Sequence, residues 1–187
     1  REFHVTTSPS MDILISSNLE RLLYMITDQN DAQIREWFGS LAETGRYEVT
    51  DDVKKVLKEE FFGGYCDDEQ TKATISEIYK KYSYTCDTHT AVAVKVYEDY
   101  KKATGDETKT LIASTASPYK FSASVLEAIE GKKSDLDEYD MVARLAELSD
   151  ITVPSALADL KNKERRFTGS IEKSDMNSYV MKDFGLA

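Results

Sequence analysis

Apolar residues recur at helical spacing through most of the chain, and only one short segment breaks that pattern. Leu19, Leu22, Leu23 and Ile26 fall at i, i+3, i+4 and i+7, which makes one stripe on a helix. Ser17 with Glu20 three residues later predicts a capping box at its start. Ile34, Trp37, Phe38 and Leu41 repeat the spacing, with Asn30 or Asp31 as cap and Gly45 as stop. A third helix opens at Thr50 with acids in its first turn and Val53, Val56 and Leu57 facing inward. The pair Gly63-Gly64 interrupts, and a fourth helix runs through Ile75, Ile78 and Tyr82. "DTHTAVAVKVYEDYKK" alternates like a strand in its middle. Asp87 or Thr88 can cap it, however, and Lys101-Lys102 suit a helix C-terminus, so a helix is expected. Further helices follow through Val125, Leu126 and Ile129 up to Gly131, through "DEYDMVARLAEL", and briefly after Pro154. The tail 161–187 is polar and carries no clear pattern.

Thr108 to Ser114, "TKTLIAS", is the exception. It is short and apolar and follows the turn signal Gly105-Asp106, so it reads as a strand. One strand cannot make a sheet. The expected class is therefore α/β, mainly helical, with few strands in a single domain over 1–187. Ligands of open α/β folds lie beyond the carboxyl ends of strands, which is where Ser114 and Thr115 would stand. A hydroxyl there can donate or accept without bringing charge. The alternative is a helix start, with Ser117-Pro118 as N-cap and first helical residue. Spacing alone leaves both open.

Charge and motifs exclude several functions. A net charge of -10 repels phosphate backbones, so no nucleic acid partner is expected. No window reaches the roughly 18 apolar residues of a membrane span. The first residues lack a signal-peptide pattern, and a cytoplasmic location follows as the expectation. Cys66 and Cys86 form no CxxC motif and are expected to be free thiols. His4 and His89 stand alone, so no metal site is predicted. The acids are scattered along helices and single out no catalytic pair.

Three blocks, "SPSMDILISSNLERLLY", "DTHTAVAVKVYEDY" and "STASPYKF", resemble in that order segments from the C-terminal part of the threonine synthase family. The likeness is to the longer form of bacteria and fungi, and it covers most of Ser8 to about Ile129. It implies the tryptophan-synthase-β fold type and pyridoxal phosphate as cofactor. The implied reaction turns O-phospho-L-homoserine and water into L-threonine and phosphate. By resemblance Thr115 meets the cofactor's pyridine nitrogen, with Ser114 beside it; no catalytic residue is carried over. Thr88 and Ala93 depart from the family's D-P-H-T-A-V-G pattern, and Ser117 and Tyr119 from S-T-A-H-P-A-K-F. The family's cofactor-binding lysine, in an F-K-D-like context, and its glycine-rich phosphate cradle have no counterpart here. The expectation is a C-terminal part of the enzyme that is inactive alone and does not bind the cofactor by itself. The competing expectations are an acidic helical interaction domain and a non-catalytic paralogue.

Overall fold

The computed structural model describes residues 3–149 and 151–186. They divide into two compact units, Arg1–Thr152 and Val153–Ala187.

Among the described residues the first unit holds seven α-helices: α1 (Ser17–Ile26), α2 (Asp31–Thr44), α3 (Asp51–Glu60), α4 (Asp68–Tyr82), α5 (Thr88–Thr104), α6 (Ser122–Glu130) and α7 (Glu138–Leu148). α1 packs on α2 and α3. Their shared core is Leu23, Ile34, Trp37 and Val53, flanked by Leu19, Ile26, Phe38 and Leu57. Val56, expected to face inward, is exposed. The capping box expected at Ser17 is not the one formed. Ser16 is the N-cap and accepts from Leu19 N, while Ser17 is already the first helical residue. Either serine can cap, and Ser16 is the one with extended backbone (φ -99°, ψ 117°). Asn30 caps α2 and Gly45 ends it in the left-handed region, as expected.

The second helical group joins α4 to α5 and α6, and α6 to α7. Its core includes Ile75, Ile78, Ala91, Val125, Leu126 and Leu145. Asp67 and Gln70 form a reciprocal capping box on α4. The alternating segment Thr88–Thr104 is helix, capped by Asp87 and stopped by Gly105. Gly64 belongs to this group as well. A Cβ there would come within 2.8 Å of Val96 Cγ1 on α5, so the chain can pass that close only as glycine. Two buried or half-buried tyrosines tie down the end of α7 and the stretch after it: Tyr79 donates to the Leu148 carbonyl at 2.9 Å and Tyr119 to that of Ile151.

The expected strand at Thr108–Ser114 is corrected. The segment is unpaired, and the described residues contain no strand. Leu111 is 94% exposed, and no second strand among the described residues pairs with the segment. The mainly helical character holds throughout.

The second unit carries α8 (Ser155–Ala158) and α9 (Met176–Asp183), with short 3-10 turns at Leu160–Asn162 and Lys173–Asp175. The polar tail 161–187, which carries no clear pattern in sequence, includes α9.

Candidate functional site

The candidate site lies where the start of α5 meets the end of the extended segment. Asp87 is fully buried (0% exposed). As the N-cap of α5, it accepts from His89 N at 2.9 Å and Thr90 N at 3.2 Å. It also accepts from the Thr90 hydroxyl. These contacts occupy a carboxylate that burial would otherwise penalise. They also fill the anion-attracting end of the helix from within, so a phosphate has no place on this N-terminus.

Thr90 Oγ1 lies 3.0 Å from Ser114 Oγ. Tyr84 Oη donates to the same serine oxygen at 3.4 Å. Ser114 is thereby held from two sides by residues 30 and 24 positions earlier in the chain. Thr115, the next residue, is exposed. The two hydroxyls expected at a strand end thus stand on a segment that is not a strand. Ser117 does act as a cap, accepting from Tyr119 N at 3.3 Å, but of a 3-10 turn, Pro118–Phe121, that leads into α6. Thr115 takes no part in that cap.

The departures from the family motifs have local explanations. Thr88 stands at the first position of α5, where proline is tolerated because the N–H there needs no helical partner. The Thr88 hydroxyl and His89 Nδ1 are buried without a hydrogen-bond partner among the described residues. The His89 ring sets its edge against Phe121 at 4.8 Å between centroids. Tyr119 is 3% exposed and fills core space. Lys120 is exposed and stands 5.5 Å over the Phe121 ring.

Alongside the apolar part of the segment runs a groove of about 720 Å³. Phe61, Phe62, Tyr97, Tyr100, Leu111 and Ile112 line it. The hydroxyl pair is not part of that lining. Tyr100 donates to Asp106 at 2.6 Å, which holds the turn before the segment. Donors from Thr108 and Tyr100 push the Asp106 carboxyl down to about 2. Cys66 and Cys86 are free thiols, as expected. Burial pushes the Cys86 thiol up to about 12. Among the described residues no cluster of His, Cys, Asp and Glu could hold a metal ion, and no helix is long and apolar enough to cross a membrane.

The helical layer is the fold of one part of solved threonine synthases. The chain superposes on a PLP-bound threonine synthase from Brucella melitensis with a TM-score of 0.72 and 29% identity. That match covers 97% of this chain and 35% of the other. Against the yeast threonine synthase structure the TM-score is 0.74 and the identity 25%, over 100% of this chain and 38% of that one. Residues 90–178 match the family described as "Threonine synthase, C-terminal". The Pseudomonas aeruginosa threonine synthase is 32% identical over 165 residues, 88% of this chain and 31% of that protein. The chain is thus a relative of the C-terminal part of threonine synthase, and it spans about a third of the length of these relatives.

Proposed function

We propose that the chain supplies the Ser114-Thr115 wall of a threonine synthase active site, in an enzyme that forms L-threonine and phosphate from O-phospho-L-homoserine and water. The observation that carries this reading is Thr115 itself: an exposed hydroxyl beside an anchored one, in a segment that the relatives share. Pyridoxal phosphate, when bound, supplies the electron sink of such chemistry. The residues here fit one of its contacts. A neutral threonine hydroxyl can face the ring nitrogen without imposing a charge, and this leaves the ring largely unprotonated. The lysine that would bind the cofactor covalently and the cradle for its phosphate belong, in this reading, to the remaining two thirds of the enzyme. A cytoplasmic setting suits it.

One hydroxyl contact contributes about 1 kcal/mol net, whereas micromolar binding needs about 8 kcal/mol. Residues 1–187 alone should therefore not retain the cofactor. The test is the visible absorbance of lysine-bound cofactor after mixing and desalting, with phosphate release assayed in parallel. No retained chromophore and no turnover are expected. A stoichiometric chromophore that survives Lys120→Ala would overturn the reading, because this chain would then carry its own cofactor lysine.

A further inference from the structure

We infer that Thr90 decides which hydroxyl of the Ser114-Thr115 pair has a proton to offer at the site. The significance of this rests on the proposed cofactor contact; the geometry does not.

The argument is a count of protons. The Asp87 carboxylate only accepts, and Thr90 has a single hydroxyl proton. That proton is committed to Asp87, which is fully buried. Thr90 Oγ1 and Ser114 Oγ are nevertheless 3.0 Å apart, a distance that needs one proton between them. Only Ser114 can supply it. Ser114 is then left with lone pairs alone, and Tyr84 donates to one of them at 3.4 Å. The direction is fixed from end to end: Tyr84 to Ser114, Ser114 to Thr90, Thr90 to Asp87. Each bond in such a chain polarises the next.

The outcome is a division of labour between neighbours. Ser114 faces the site as an acceptor. Thr115, exposed and outside the relay, keeps its proton free. An acceptor such as an unprotonated pyridine nitrogen is matched by Thr115 and rejected by Ser114. Thr90 acts only through Ser114, so it is a positioning residue. Its place as the fourth residue of the "DTHT" motif acquires a reason: it is the third residue of α5, close enough to the N-cap to give Asp87 its proton and one turn from the segment.

The test begins with the hydroxyl protons of the chain, observed by NMR at low temperature. In the unsubstituted chain the Thr90 and Ser114 hydroxyl protons should exchange slowly enough to be seen, with the Ser114 proton directed at Thr90 Oγ1. Thr90→Val keeps the shape but removes the acceptor, and the Ser114 line should vanish into solvent exchange. Thr90→Ser should restore it. Methyl dispersion and far-UV circular dichroism check that both variants fold. A Ser114 hydroxyl line that persists in Thr90→Val would overturn the inference, whatever the cofactor does. In the complete enzyme, Thr90→Val should shift the pH profile of the cofactor absorbance and lower kcat at least threefold at constant KM, and Thr90→Ser should rescue both. If the hydroxyl lines respond as expected while the cofactor profile stays unchanged, the relay stands and its influence on the cofactor through Ser114 is refuted.

Discussion

Asp87→Ala should destabilise the chain more than the loss of any exposed cap. The side chain satisfies two backbone N–H groups at the start of α5 and the hydroxyl of Thr90, and it does so with 0% exposure. Loss of an N-cap costs about 1 kcal/mol. A buried donor left unsatisfied, here the Thr90 hydroxyl, costs roughly 1–3 kcal/mol more. The sum is about 3 kcal/mol. For a chain of this size that corresponds to a fall in Tm of roughly 6–12 °C. Asp87→Asn keeps one oxygen for the backbone donors and should lose about half as much. Thermal unfolding followed by far-UV circular dichroism reads both variants. A Tm for Asp87→Ala within about 1 °C of the unsubstituted chain would refute the reasoning, because the capping network would then contribute nothing.

The remaining predictions concern caps and thiols. Ser16→Ala should cost about 1 kcal/mol, while Ser17→Ala should be close to neutral, since Ser16 is the residue that accepts from Leu19 N; thermal unfolding of the pair decides it. Thiol titration without denaturant should modify Cys66 well before Cys86, which is 1% exposed and whose thiol stays protonated to about pH 12. The folded Cys86 binds its proton more tightly than an unfolded cysteine of pKa about 8.5. Its contribution to stability is therefore complete below about pH 8.5 and falls as pH rises towards 12, and Cys86→Ala should flatten that decline in denaturant titrations.

The helices were legible because their determinants are local. Stripes such as Ile34, Trp37, Phe38 and Leu41 place a face, and residues such as Asn30, Asp87, Gly45 and Gly105 start and stop a helix within a few positions. The shift from Ser17 to Ser16 reflects two adjacent serines with equal capping chemistry, which only the backbone conformation separates. Strand pairing is not local. "TKTLIAS" has strand composition, but a ladder requires a partner that a single segment cannot specify. Of the site, the adjacency of Ser114 and Thr115 could be read directly. The Thr90–Ser114 contact spans 24 residues and depends on how α5 packs against the segment. The one sequence signal for it was Asp87 followed three residues later by Thr90, a spacing that lets a hydroxyl at the third helical position return to the cap.

The most direct measurement is threonine formation and phosphate release from O-phospho-L-homoserine by the complete enzyme carrying this chain, with and without Thr115→Val. Valine keeps the shape of threonine and removes only the hydroxyl, leaving the ring nitrogen unpartnered at a cost of roughly 1–3 kcal/mol. The account predicts that cofactor still attaches while turnover falls by about tenfold or more, in line with that cost. Unchanged turnover in the variant, or no threonine from the unsubstituted enzyme, would contradict it.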